Sequence, residues 1–333
     1  MTRKSFWPLA IMFVSALFFT ACGGGKTNIA IGPAASETQS ISRLIMEAYS
    51  IKDSDYKKYQ EGFGDAADLL QDGNIDISIG ILGLPTGSIE SLQASTGDVE
   101  MLELSNKAIE FIEKNSEYRR YTISAESYEF LNKDIETVTA YAILMANTDT
   151  IDEELGYELA KVMIEHAEEN THSQSAHIVL ANALNGSEGL PIHPGAKRYY
   201  EEKGLTVENT LAELSADADK RKSEFILGTG SQGGTYYPLG GEIANLWNKY
   251  MSGLNVTNTE TGASVENLAS IRDGYQDIGM TVHVPALNAI NGTGDFKDNK
   301  VENLAFIGHI YPEVVQIITR KASGINSLEE IGN

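Results

Sequence analysis

The sequence predicts an α/β protein of two similarly built lobes. Three observations carry that prediction. Phe225–Leu246, FILGTGSQGGTYYPLGGEIANL, reads as an apolar strand, a loop of small polar residues and the first turns of a helix. Residues 27–49 repeat the plan, with TNIAI as strand, Gly32–Thr38 as loop and a helix from about Gln39 to Tyr49. Downstream of each comes D-G-x-x-D-I, as Asp72–Ile77 and as Asp273–Ile278, where glycine stops a helix and alternation starts a strand. A loop of Gly, Thr and Ser feeding a helix leaves backbone N–H groups unpaired at the positive end of the helix dipole. Such a place suits a small anion.

Length and composition agree with two folded domains: 333 residues, 42% hydrophobic and 22% charged. The first residues are of another kind. Arg3 and Lys4 form a basic head, and Phe6–Phe19 is an apolar run too short to span a bilayer comfortably, the shape of a secretory signal over residues 1–21. Cys22, the one cysteine, stands where a bacterial lipoprotein signal is cut and lipidated, and residues 22–25 make a glycine tether. Phe19 occupies a position where Leu is usual, so an ordinary cleaved signal or a free thiol is the alternative. The expected address is periplasmic or cell-surface, with membrane contact through the lipid anchor. No second cysteine offers a disulfide. The formal charge is −22, and removing the leader takes away two positive charges and no negative one. That balance argues against nucleic acid as a partner.

The elements follow in order. Tyr56–Gln60 reads as a strand, Asp65–Gln71 as a helix and Ile75–Ile81 as a strand. Leu84–Gly87 is a turn opening a helix, and Val99–Leu104 is a further strand. Ala108–Asn115 is helical, Thr137–Met145 an apolar strand, and Asp152–Glu169 an amphipathic helix that Asp152 caps. Ser175–Leu184 continues helical, and Leu190–Ala196 turns into a helix over Lys197–Lys203. Thr206–Ser223 is charged, Ala-rich and short of aromatics, a helix or a loose linker that reads like a frayed terminus inside the chain. At the C-terminal end Ser327 caps a short helix that Gly332 ends.

Several stretches together resemble the solute-binding receptors of TAXI-type TRAP transporters. They are Gly228–Leu246, Gly262–Leu268, Ile310–Ile317, Ile31–Ser36, Gly83–Thr86 and the HPGAKRYY of His193–Tyr200. The resemblance covers about residues 26–210 and 224–333. It implies a periplasmic binding protein-like fold of type II, two α/β lobes around a ligand cleft. The order departs from the family, in which the GTGSxGGTYYP loop comes early and HPGAxRYY late. Joining Asn333 to Gly25 or Lys26 restores a helix–turn–strand phrase, SLEEIGN-GKTNIAIG, so the chain reads as a circular permutant. With the lobes named in the family's order, lobe 2 is 26–105, a helical return segment to lobe 1 is 106–205, a linker of two fused tails is 206–223, and lobe 1 is 224–333. Such a break is expected to cut one strand crossing between the lobes and to loosen the hinge. The implied function is capture of a small organic anion, an amino acid or a dicarboxylate such as glutamate. The implied partner is the membrane subunits of a sodium- or proton-coupled TRAP permease, with neither chemistry nor cofactor in the receptor.

The resemblance carries Ser231, Gln232, Thr235 and Tyr236 to the cleft, where they also suit the start of a helix. Ser264, Glu266 and Asn267 begin the next helix, Ser264 as its cap and Glu266 with its dipole, or touch the ligand. Tyr311 and Glu313 follow a strand end. From the other lobe come Ala35, Ser36 and Thr38, with Pro85 and Thr86 opening another helix. Relatives often carry Gln-Ser-Asp where this chain has Val282-His283-Val284; His283 then donates to an anionic ligand or packs in the cleft wall. Two enzyme readings compete. Gly228-x-Gly230-x-x-Gly233 matches a dinucleotide fingerprint, although Glu260 arrives late for a ribose contact. Ser231 falls one residue short of G-x-S-x-G, an exported serine hydrolase's loop, with no evident His and Asp order. His166, His172 and His177 have spacings that fit no helical metal pair.

Overall fold

A computed structural model describes residues 25–332, so the expected signal, the Cys22 lipidation site and all of the tether but Gly25 lie outside the described residues. The chain runs β1 (Thr27–Ala30), α1 (Glu37–Ala48), β2 (Tyr56–Tyr59), α2 (Phe63–Gln71), β3 (Ile77–Leu82), α3 (Gly87–Thr96), β4 (Val99–Leu102), α4 (Asn106–Asn115), β5 (Arg119–Ile123) and β6 (Ile135–Asn147). It continues with α5 (Glu153–Glu165), α6 (Pro194–Glu202), β7 (Glu224–Gly228), α7 (Tyr236–Tyr250), β8 (Asn255–Thr259), α8 (Ser264–Arg272), β9 (Ile278–Val282), α9 (His283–Asn291) and β10 (Leu304–Arg320).

Two strands are far longer than the others, β6 with 13 residues and β10 with 17, and they pair antiparallel. All strands join one sheet in the order β2-β1-β3-β10-β6-β9-β7-β8, with β4 on β10 and β5 on β6. Strand β10 meets β3 through Val314–Thr319, whereas β6 meets β9 through Ala142–Ala146. Each long strand therefore gives one half to the lobe of β1–β5 and the other to the lobe of β7–β9. These two strands are the hinge. Both cross unbroken, so the expected cut strand is not found and a looser hinge has no support here.

Within each lobe the D-G-x-x-D-I stretch does the same work. Gly73 and Gly274 take φ of 72° and 75°, which stops α2 and α8. The following aspartate then accepts the amide of the lobe's first strand: Asn28 N to Asp76 at 2.7 Å, Ile226 N to Asp277 at 2.8 Å. This sets β1 beside β3 and β7 beside β9, both parallel.

The lobes divide elsewhere than at residues 105 and 224. Ile109 and Ile112 of α4 and Val138 of β6 pack with Ile29 and Ile77 in lobe 2. So do Val315, Ile317, Leu328 and Ile331, which the sequence reading put in lobe 1. An apolar run says that a strand is buried, not which sheet buries it.

Two helical expectations also change. Ser175–Leu184 holds only short 3-10 turns, at Ser173–His177 and Leu180–Asn182. Thr206–Ser223 is neither a helix nor loose, with one 3-10 turn at Ala218–Lys220. Ala212 N donates to Ile192 O at 2.9 Å, and Ser215 N and Ala216 N both reach Thr148 O at 3.0 Å. Arg221 Nε holds Asp152 at 2.6 Å, the same carboxylate that caps α5 through Leu155 N. The HPG of His193–Gly195 explains how α6 docks. His193 Nδ1 accepts Gly195 N, Pro194 fills the first helical turn, and a Cβ on Gly195 would lie 1.9 Å from Glu153 O on α5.

Candidate functional site

The starts of α1, α2 and α3 face the starts of α7 and α8 across the hinge, and they touch. Gly83 N donates to Thr235 Oγ1 at 2.9 Å, Ser88 Oγ to Gly233 O at 2.7 Å, and Glu266 N to Ala35 O at 3.1 Å. Gly64 and Gly233 lie backbone against backbone, since a Cβ on Gly233 would fall 2.4 Å from Gly64 Cα. The lobes are shut on each other. A cavity of about 60 Å³ remains between them, room for several waters or a small solute.

Ser36 and Thr38 line this cavity from lobe 2, and Ser231, Thr235, Tyr236 and Ser264 line it from lobe 1. Tyr311 and Glu313 line it from the hinge strand β10. Gln232, Pro85 and Thr86 instead line an open groove beside it. Gln232 is held there by Glu260, with Nε2 to Oε2 at 2.9 Å. Ala35, Glu266, Asn267 and His283 line neither space. Glu266 folds back to accept Gly262 N at 2.8 Å. Asn267 is buried and spends its amide on Thr229 O and Met280 O, both at 2.8 Å. His283 turns toward the hinge and accepts Tyr141 N at 3.1 Å. Ser264 is not a cap, because Ala263 holds that position and Ser264 Oγ accepts Val282 N at 3.1 Å.

Among the cavity residues that the sequence did not point to, two are acidic, Glu37 and Glu61. An acidic residue at the start of a helix reads as an ordinary dipole partner, which hid Glu37. It is 5% exposed and lines the cavity together with Glu313, 3% exposed, whose charge acts on it. Tyr118 donates its hydroxyl to Glu37 Oε1 at 2.9 Å, and Tyr311 to Glu313 Oε1 at 2.6 Å. Burial pushes both carboxyls up to about 8 against the pull of those tyrosine bonds, and for Glu37 the charges of Asp295 and Glu313 push the same way. Tyr236 is buried beside Glu313 and Ser264, its hydroxyl in hydrogen-bonding geometry with neither. Among the lining residues there is no lysine, arginine or histidine.

The backbone at the rim is held in costly conformations. Ala35 and Ala263, on opposite lobes, have φ of 56° and 69°, the region that favours glycine. Each costs on the order of 1–3 kcal/mol, and such residues persist where the surroundings impose them.

The glycines of the dinucleotide fingerprint have other uses here. A Cβ on Gly228 would sit 2.1 Å from Gln276 Oε1, and Gly233 abuts Gly64 of the other lobe. Ser231 lies against Gly62 and bonds no histidine among the described residues. No group of three or more metal-ligating side chains occurs among the described residues, and none of their helices is long and apolar enough to cross a membrane.

A family model described as the NMT1-like family matches residues 24–204 and 227–333. The chain belongs to the NMT1-like family. Its own sheet shows two α/β lobes about a double-strand hinge. Solved structures similar to it include a phosphate-binding protein of a phosphate ABC transporter from Streptococcus pneumoniae, with 12% identity over 91% of this chain and 92% of that one, at a TM-score of 0.39. An ancestral arginine-binding protein bound to arginine matches at 10% identity over 90% and 86%, TM-score 0.41. A binding-protein component of an ABC phosphonate transporter from Pseudomonas aeruginosa matches at 9% over 89% and 68%, TM-score 0.39.

Proposed function

We propose that this NMT1-like protein is the extracytoplasmic solute receptor of a TAXI-type TRAP transporter, lipid-anchored through Cys22. It captures a small organic acid, an amino acid or a dicarboxylate, and delivers it to membrane permease subunits. The observation that carries the reading is the cavity between helix starts of opposite lobes. The opening amides of α1, α7 and α8 have no intrahelical acceptor, and the hydroxyls of Ser231 and Thr235 stand with them. Closure sequesters the solute and changes the face presented to a partner.

The receptor is circularly permuted in this proposal. In support, the family match falls in two stretches parted at residues 205–226. That interval contains the whole of 206–223, the segment read as two fused tails.

Calorimetric titration of residues 25–333 with small amino acids and carboxylic acids tests the function, alongside small-angle scattering. Saturable binding with a fall in radius of gyration, and recovery of the solute unchanged, is the expected result. Conversion of the solute to a product would overturn it in favour of an enzyme.

A further inference from the structure

The cavity between the lobes is lined by two buried carboxyl groups from different elements, near enough for the charge of one to act on the other. Glu37 opens α1 in lobe 2, and Glu313 sits on the hinge strand β10. One oxygen of each is steadied by a tyrosine, Tyr118 on Glu37 and Tyr311 on Glu313, and the second oxygen remains for another donor. Tyr236 adds an unpartnered hydroxyl on the same side as Glu313. The titratable groups around the pair are these three tyrosines, Asp295 beside Glu37, and Glu61 in the cavity wall. Every one is acidic or neutral. A buried carboxylate with no cation is costly, and a site that collects two of them lacks a positive partner.

We infer that the solute of this cavity carries a protonated amine, held between Glu37 and Glu313. The inference deepens the solute-receptor reading of the cavity and rests on it. An ammonium group offers three N–H donors, enough for Glu37, Glu313 and the Tyr236 oxygen. Any carboxylate on the same solute is left to the helix-start amides and to Ser231 and Thr235. An amino acid satisfies both ends, whereas a plain dicarboxylate sets further negative charge against the two glutamates.

The two cases differ in their protons. Without solute the glutamates hold their protons to about pH 8. An ammonium between them favours the ionised forms, so binding releases protons and tightens as pH rises toward 8. A purely anionic solute needs both carboxyls protonated, so its binding takes up protons and weakens over the same range.

Calorimetry in buffers of different ionisation enthalpy compares L-glutamate with glutarate and L-alanine with propionate. The expected result is that an amine-bearing member binds at least about tenfold more tightly than its deaminated twin, with net proton release. Glu37→Gln and Glu313→Gln each weaken that binding about tenfold or more and abolish part of the proton release. If a variant fails to fold, the proton count of the unaltered protein decides alone. Equal or tighter binding of the deaminated twin, with proton uptake, overturns the inference and leaves the cavity as a solute site. Absence of binding by both series in a folded protein overturns the cavity reading as well.

Discussion

His309 and Glu313 lie four residues apart on the hinge strand and respond to pH in opposite senses. His309 is buried with neither ring nitrogen bonded. Burial, with His177 and His283 nearby, pushes its pKa down to about 3. The unfolded imidazole takes a proton near pH 6.5 and the folded one does not, so this contribution to stability is full above 6.5 and is lost as pH falls toward 3. The glutamates are shifted upward. Their contribution is full below about 4.5 and is lost as pH rises to 8, because the unfolded chain releases those protons first. Melting curves of the solute-free protein should therefore show falling stability on both sides of a mildly acidic optimum. His309→Leu should flatten the acid side, and Glu37→Gln with Glu313→Gln the alkaline side. A melting temperature constant from pH 6.5 to pH 8 in the unaltered protein would refute the account of the glutamates. At this scale Glu313 was readable because it sits in the stretch Ile310–Ile317, whereas Glu37 looks like any acidic first-turn residue. Its meaning depends on Tyr118 and Glu313, both distant in sequence.

Local rules did best at the scale of elements. Gly73 and Gly274 stop helices as their positions suggest, and Asp152 caps α5. The length of β10 was not readable, since Pro312 and Glu313 interrupt the apolar pattern of its 17 residues and one strand serves two lobes. Nor was the tacking of Thr206–Ser223, which is polar and gains its order from Ile192, Thr148 and Asp152 elsewhere. The close α5–α6 contact gives an element-scale prediction. Gly195→Ala drives a methyl onto Glu153 O and Tyr157 N, backbone that cannot step aside, and should cost about 1–3 kcal/mol. Denaturant melts check this, and an unchanged midpoint would show that the two helices have slack. Relief of strain gives a prediction of the other sign. Ala263→Gly should gain about 1 kcal/mol, because glycine adopts the φ of 69° at that position freely. The same melts decide it.

For the whole molecule the question is how the lobes stay shut. Gly64 and Gly233 meet with no side chain between them, so Gly233→Ala should wedge the lobes apart while leaving each core intact. The expected outcome is solute affinity lower by about tenfold or more, a larger radius of gyration and a nearly unchanged melting temperature. Full affinity in the variant would mean that closure does not need that contact. A second test concerns chain order. Because β6 and β10 are both continuous, a chain rebuilt as residues 217–332 followed by 25–216, which keeps the contacts of Thr206–Ser223, should melt and bind like the original. A rebuilt chain that binds more tightly would show that the present order strains the hinge. Two lobes were legible from the repeated strand–loop–helix plan, but their boundaries were not, since sheet membership is decided by long-range pairing.

Glu313 belongs to neither lobe, because it rides on the axle about which both turn. Selectivity in this protein is thus not modular: a chimera that exchanges one lobe with a relative transplants the wall of the chamber but not that carboxyl. Donor preference should travel only with grafts that carry β10 along.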